Sequence, residues 1–476
     1  MSIIKKNYIF NLLLTGFNVL YPVISFPYAA KVLGPTGIGK VQFILSYTQY
    51  FALIAALGIP IYGVRIISQS THDEKLLNKN LSELITIHIL CSLIVIGLYI
   101  ASIFSFAFFD NDKSLYFISG AIVLLGFTSL DWYFSGIENF KLIAIRTVFV
   151  KLISLVALLL FVKTKSDYNF YLMVNLIALL GNNIINIISL RKHIKLSLTG
   201  IKRHLKPLMY TFGTTIATSM YTMLDIVLLG FFADDKSVGL YSASIKLTKV
   251  SLPFIISSAT VLMPRVSKLF GTEDTGALNV VLNKSFSLIS VTAVPVCAVL
   301  IILSPQLIYA LSGKDFSEAV ITMQILSPLV LIIGFGYFWG FQILIPGGKE
   351  KQVLISVILG MCFNLALNFI LIPLYKQNGA AIANVISEFI VTSAYMFFCF
   401  KIVNIKISYK PFITNVIASL PLVFIVAFYK VFITNVYCQL IFVVITFVVL
   451  YAFIQIKLLK NSTVNELLTN HFLKRK

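Results

Sequence analysis

The chain has 476 residues, of which 58% are hydrophobic and only 12% charged, and its mean hydropathy is +0.94. That balance excludes an ordinary soluble domain. The net charge of +20 would suit a nucleic-acid binder, but the Lys and Arg residues gather at alternate loops and at both ends, so no nucleic-acid partner is expected. This is the charge bias of a multi-pass membrane protein with both termini in the cytoplasm.

Apolar runs of about 20 residues recur along the chain, each long enough for a bilayer core of roughly 30 Å. They are apolar on every side, which indicates helices rather than the alternating strands of a barrel. Lys5 and Lys6 precede the first run, which outlasts a signal sequence and shows no small-residue cleavage site, so it reads as an uncleaved first span. The spacing predicts about 14 spans. Six fall in the first half, near 8–32, 41–63, 82–108, 115–137, 147–162 and 169–190. The basic stretch Arg191 to Lys206 follows as the inner linker; it marks orientation, or meets anionic headgroups. Six more spans lie near 208–232, 239–263, 285–311, 319–345, 353–374 and 379–400, and two final ones near 411–430 and 437–457. Outer connections are short and turn-like, as at Asp110-Asn111-Asp112, Ala233-Asp234-Asp235, Ser312-Gly313-Lys314-Asp315 and Lys376-Gln377-Asn378-Gly379.

The two halves echo each other. Ile38-Gly39 sits over Val238-Gly239, Arg65 over Arg265, and Asp73-Glu74 over Glu273-Asp274, all at an offset of 200. Tyr133-Phe134-Ser135-Gly136 returns at an offset of 204 as Tyr337-Phe338-Trp339-Gly340. An even number of spans per copy makes the copies parallel about an axis along the membrane normal, which is a transporter architecture with a site between the halves. The expected fold is therefore an all-α polytopic membrane protein of about 14 transmembrane helices. Residues 1–200 form the first six-helix lobe and 201–402 the second, while 403–476 add two helices and a cytoplasmic tail.

Several spans carry helix-disturbing residues: Asn18, Pro22 and Pro27 in the first, Pro253 in the eighth and Pro295 in the ninth. Each reads as a fixed kink or as a hinge. Gly34-Pro35-Thr36-Gly37-Ile38-Gly39-Lys40 imitates a phosphate-binding loop, but Val41 stands where Ser or Thr is needed and no strand precedes it. The glycines instead turn the chain between two spans. The five cysteines, Cys91, Cys297, Cys362, Cys399 and Cys438, all lie in apolar runs and read as packing residues. His72, His88, His193, His204 and His471 do not cluster; His88, the one inside a span, reads as a satisfied structural residue. No metal site, cofactor motif or catalytic constellation is present, so an enzyme is not expected.

Charge inside the membrane remains. A charged side chain at the bilayer centre costs about 2.5–3.5 kcal/mol on insertion scales. Lys246 and Lys249 share one face of the eighth span, with Lys249 roughly 15 Å below the outer surface. They are candidates for a cationic cavity, or for an internal ion pair. Arg65, Arg146 and Arg265 lie near inner ends of spans; they mark topology, or extend the cavity. Asp131, Asp225 and Glu388 are acids inside spans that either pair with Lys or Arg or couple transport to an ion gradient.

These residues carry a resemblance. Asn18, Tyr21-Pro22, Phe26-Pro27-Tyr28, Leu33-Gly34-Pro35 and Gly37-Ile38-Gly39 resemble the opening of Wzx-type polysaccharide flippases of the multidrug/oligosaccharidyl-lipid/polysaccharide exporter superfamily. Asp131-Trp132-Tyr133-Phe134 with Gly136 and Glu138, Asp225, Val238-Gly239-Leu240-Tyr241, Ala243, Lys246, Pro264-Arg265, Asn368, Pro373, Gly379-Ala380-Ala381 and Glu388 continue it over nearly the whole chain. The resemblance implies a MATE-like fold in the bacterial inner membrane. It also implies transfer of an undecaprenyl-pyrophosphate-linked oligosaccharide, as for O-antigen, from the cytoplasmic to the periplasmic leaflet. Partners would then be that lipid-linked sugar, the lipid bilayer, H+ or Na+ as a coupling ion, and polymerase and chain-length machinery. Lys246 and Lys249 would meet the pyrophosphate, and Tyr21, Tyr28, Trp132, Tyr133 and Trp339 would stack on sugars or simply pack. Rival readings are a peptidoglycan lipid precursor flippase, a cation/drug antiporter, whose cavity should be acidic, and a membrane polymerase or ligase, which should carry a large outer loop.

Overall fold

The structure is a computed structural model that describes residues 3–191, 194–260, 262–270, 274–402 and 405–459. His193, Glu273, His471 and the C-terminal tail lie outside the described residues. Every regular element among the described residues is helical. Among them, nine helices are long and apolar enough to cross a membrane. A tenth is the bent pair Ala107–Leu124 and Gly126–Gly136, which meet at 41°. The protein is an all-α, multi-pass membrane bundle. Its chain divides into two compact units, Met1–Gly239 and Leu240–Lys476.

The first unit opens with a helical run, Ile3–Ala56, of 54 residues. At 1.5 Å per residue it would measure about 80 Å, far more than one bilayer core. It is two helices that meet at Gly34, where φ is 70° and ψ 178°. Only a residue without Cβ takes that conformation readily. Pro22 and Pro27 stay inside the first of the two helices without breaking it. The turn expected across 34–40 is made by Gly34. Gly39 serves a close crossing instead. A Cβ there would collide with the Asp235 carbonyl oxygen, and a Cβ on Gly239 would collide with that of Pro35. Each glycine thus meets the residue four before the other, and small size permits this approach in lipid.

Two expected spans of this unit are broken. The span 41–63 stops at Ala56, because Leu57 and Gly58 both take positive φ, and Ile59–Ser68 starts afresh with Pro60 in its first turn. The span 115–137 is four short pieces, Lys113–Ser119, Ala121–Leu124, the 3-10 turn Gly126–Thr128 and Asp131–Gly136. Gly120, Gly126 and the polar pair Thr128-Ser129 interrupt it, so its mean apolarity hides its joints. Two of the other helices begin at side-chain caps. The Asp73 carboxylate accepts from Lys75 N at 2.9 Å and Leu76 N at 3.1 Å, starting Glu74–Ser105. Asn139 does the same for Phe140–Phe161 through Leu142 N at 3.3 Å. Tyr168–Leu190 and Lys202–Phe232 follow.

The second unit holds Thr275–Ile302, Ser304–Ser312, Ala319–Leu326, Leu329–Gly336, a π-helical turn Tyr337–Leu344, and the run Glu350–Ile402. That run is again two helices, which meet at Lys376 (φ 48°, ψ −128°). The expected span 239–263 is interrupted: Asp235–Lys249 ends, and Leu252–Thr260 begins with Pro253 in its first turn. Lys410–Ser419, Pro421–Phe432 and Val436–Phe453 close the chain, and Leu303, Ala418, Leu422, Val443 and Phe447 pack together to seat them. Outward faces are apolar in both units, as at Leu93, Ile94 and Leu98 in the first and Phe424, Val431 and Phe432 in the second. Such faces suit lipid.

Each unit also carries an extended strap beside a long helix. In the first, Ser82 Oγ accepts from Lys195 N at 3.1 Å and Thr86 Oγ1 from Ser197 N at 3.2 Å. In the second, Asn279 Oδ1 accepts from Lys406 N at 2.9 Å and Asn283 Oδ1 from Ser408 N at 2.7 Å. Four residues of helix rise about 6 Å, and two residues of extended chain span about 6.6–6.8 Å. Side chains four apart therefore match backbone N–H groups two apart.

Candidate functional site

In the first unit, the Phe140–Phe161 helix carries Lys141 in its first turn and two further cations, Arg146 and Lys151, deeper in a mostly apolar sequence. Arg146 is 3% exposed and pairs with Asp131, while its guanidinium lies 4.8 Å from the Phe134 ring centroid. Its Nε and Nη1 are buried and have no hydrogen-bond partner among the described residues. Lys151 stands 11 residues past the helix start, about 16 Å along a 22-residue helix and so near its middle. Its Nζ donates to Asn18 Oδ1 at 2.5 Å and lies 5.3 Å from the Tyr21 ring centroid. Tyr21 in turn bonds Ser154 and Ser25. This is a built polar site halfway along a helix long and apolar enough to cross a membrane: a half-buried ammonium, an amide, a phenol and two hydroxyls. It can offer one positive charge and several hydrogen bonds to an anionic, hydroxyl-rich group.

Sequence reasoning misses Lys151 because a fifth span that begins at 147 puts the lysine in its first turn. The capping Asn139 is the available signal: starting the helix there moves Lys151 to the centre. Asp225, also of the first unit, is 1% exposed and lies within electrostatic reach of Tyr50. Arg65 is exposed in the last turn of Ile59–Ser68.

In the second unit, Lys246 and Lys249 are half-buried in the last turn of Asp235–Lys249, not midway along a continuous span. Arg265 is exposed in Met263–Phe270. Glu388 is half-buried and close to Tyr395. Polar side chains line the Glu350–Ile402 run, where Asn364 and Asn368 are fully buried and Asn368 Nδ2 donates to Asn364 Oδ1 at 3.1 Å. Asn384 Nδ2 donates to the Tyr241 hydroxyl at 3.2 Å.

Three of the aromatic candidates are enclosed. Trp132 and Tyr133 are 4% and 5% exposed in the core of the first unit, with Gly63 against the Trp132 ring, and Trp339 is 2% exposed. Trp339 also lines an apolar groove of about 300 Å³ with Phe286, Phe335, Phe389 and Phe412. Tyr28 donates to the Val162 carbonyl at 2.9 Å. Tyr21 is the candidate that belongs to the polar site. His88 is buried with both ring nitrogens unpartnered among the described residues, against the expectation of a satisfied histidine. The cysteines are all free thiols.

Known proteins share this plan. The family model described as polysaccharide biosynthesis protein matches residues 4–270, and the MatE model matches 211–370. A putative O-antigen transporter of Shigella dysenteriae is 28% identical over 395 residues, which is 81% of this chain and 98% of that protein. A protein of the same description from Escherichia coli K12 is 24% identical over 405 residues, covering 83% and 96%. Among solved structures, the lipid II flippase MurJ in an inward closed conformation superposes with a TM-score of 0.76 at 18% identity, covering 95% of this chain and all of that one. An inward-facing MATE-family multidrug transporter reaches 0.62 at 13% identity, covering 80% and 93%. These two share the fold. The match over 4–270 takes in more than half of the chain, which therefore belongs to the polysaccharide biosynthesis protein family of the multidrug/oligosaccharidyl-lipid/polysaccharide exporter superfamily.

Proposed function

We propose that this protein carries a lipid-linked oligosaccharide across the bacterial cytoplasmic membrane, from the inner to the outer leaflet, for surface polysaccharide assembly. The family and its O-antigen transporter relatives support the cargo class. The observation that carries the mechanism is Lys151 at mid-depth with Asn18 and Tyr21. An ammonium there is costly unless it serves a polar passage, since lipid offers it no partner. A pyrophosphate-linked sugar supplies both the anion for the lysine and the hydroxyls for the amide and the phenol. The polyprenyl tail stays in lipid.

The helical plan supports a division into 1–200, 201–402 and 403–476, with 14 crossings. The runs Ile3–Ala56 and Glu350–Ile402 each supply two crossings through their kinks, and the matching straps support parallel repeats. Both termini then face the cytoplasm, and the halves expose the site alternately. Lys246, Lys249, Arg146, Arg65 and Arg265 remain cationic contributors in this scheme. Asp225 and Glu388 are coupling candidates for H+ or Na+, whereas Asp131 serves Arg146 as an ion-pair partner. Asp225→Asn with Glu388→Gln should change the dependence of transport on proton or sodium gradients; unchanged dependence returns both acids to a structural role.

The test is on cells lacking the protein. Lysine at position 151 should restore periplasmic exposure of undecaprenyl-linked oligosaccharide, whereas Lys151→Gln should lower it at least tenfold at equal protein level. Lys151→Arg should keep most of it. Full export by Lys151→Gln removes this lysine from the mechanism, and the same assay on Lys249→Gln tests the second unit's contribution. A change in cationic-drug sensitivity with normal oligosaccharide exposure would instead mark a drug antiporter.

A further inference from the structure

The first strap leads into a charge cluster. The Glu83 side chain is fully buried, and its Oε2 accepts from Arg203 Nη2 at 2.6 Å, Arg203 Nε at 3.1 Å and His204 Nε2 at 2.8 Å. Its Oε1 is buried with no hydrogen-bond partner among the described residues. Arg203 Nη2 also donates to Asn80 Oδ1 at 2.7 Å. With the Nε2 proton committed to Glu83, His204 Nδ1 accepts from the Tyr62 hydroxyl at 2.8 Å. Gly200, at φ 86°, brings the backbone onto the carboxylate so closely that a Cβ would collide with Oε1. Glu74–Ser105 and Lys202–Phe232 thus meet on one carboxylate, and Ile59–Ser68 joins them through Tyr62 and His204.

Holding a strap requires no such group. The second strap is gripped by the neutral amides of Asn279 and Asn283, the latter also donating to the Lys406 carbonyl at 2.8 Å. Nor does a half-satisfied buried carboxylate add much stability, since an apolar cluster of similar volume does as well or better. Such a group is useful where two arrangements alternate. Open, Glu83 regains water; closed, it regains the partly exposed Arg203. The two states then differ by little, as a bistable element requires.

We propose that the Glu83–Arg203–His204 cluster is a latch at the inner end of the first unit that opens and recloses in each transport cycle. Closed, it ties the start of Lys202–Phe232 to Glu74–Ser105 and presses the strap onto Ser82 and Thr86. Open, it lets the strap leave both. The proposal rests on the transport reading, but its test separates the two.

Ser82→Cys with Lys195→Cys, in a background without the five native cysteines, puts a thiol on each of the two residues now joined by the Lys195 N to Ser82 Oγ bond, and leaves the latch side chains intact. Oxidation should form the cross-link and lower oligosaccharide exposure at least tenfold, and a reductant should restore it. Undiminished exposure with the strap cross-linked overturns an opening latch. Failure of the pair to cross-link overturns the closed state. A second readout needs no transport: trypsin applied to the inner face should cut the 191–206 linker at least tenfold faster in Glu83→Gln than in the unmodified protein, and equal rates overturn the latch. Failure of the transport reading would look different, because the unmodified protein itself would then not restore oligosaccharide exposure to deleted cells.

Discussion

The strap at 194–198 and the strap at 405–409 sit in the same relation to a long helix, gripped by side chains four apart, yet they differ in chemistry. Hydroxyls hold the first, and a buried carboxylate reinforces it from the next residue along, Glu83. Amides hold the second, with carbonyl and N–H groups both engaged on Lys406. One contact is a neutral zipper that is satisfied as it stands. The other depends on a charge that is costly to bury and easy to release. Equal geometry in the two units therefore need not mean equal mobility.

The largest effect should come from breaking the charged joint by one side. Arg203→Ala leaves Glu83 buried with His204 as its remaining partner. Removing one member of a buried pair costs about 3–5 kcal/mol; the partly exposed guanidinium places this case near the lower end. A clear drop in thermal unfolding temperature of the detergent-solubilised protein is expected, and none would mean that water already reaches Glu83. Asn283→Ala removes two neutral bonds to the second strap and should cost about 1–2 kcal/mol in the same assay. A larger loss than Arg203→Ala would reverse the comparison. Thr86→Ala removes one hydroxyl from the first strap and should cost under about 1 kcal/mol.

Acidity should touch only the first strap. Burial, more than the neighbouring Arg203, holds the His204 imidazole below its usual value of 6.5, while Glu83 pulls the other way; Tyr62 faces its second nitrogen. A histidine with a lowered folded pKa contributes stability above its unfolded pKa and loses that contribution as pH falls through it. Tryptic cutting of the 191–206 linker should therefore quicken modestly below about pH 6.5, and His204→Asn should flatten that response. An unchanged rate across this window would show that His204 does not titrate in the latch.

The helical bundle is legible in the sequence because lipid demands long apolar runs, and the caps at Asp73, Asn139 and Asp274 mark where three of them start. The joints are not. Mean apolarity is blind to the breaks after Ala56, within 115–137 and after Lys249, which depend on local φ/ψ and on Gly, Ser and Thr rather than on hydropathy. A continuous eighth span puts Lys249 at mid-depth, whereas in the structure Lys249 ends its helix. Lys151 escapes for the converse reason, a span begun too late. Glu83 lies at the edge of the expected span 82–108, where a carboxylate ordinarily reads as solvated, and only the fold brings Arg203 and His204 onto it. The straps are farther apart than the 200-residue offset of the sequence echo, and side chain to backbone bonding leaves no residue pattern to match.

Transport of a lipid-linked oligosaccharide is tested most directly by where that lipid faces when the protein is removed. Undecaprenyl-linked oligosaccharide would be labelled from the periplasmic side in deleted cells and in cells carrying the gene again. A flippase predicts accumulation without periplasmic labelling in the first and labelling in the second. Equal periplasmic labelling in both would contradict it.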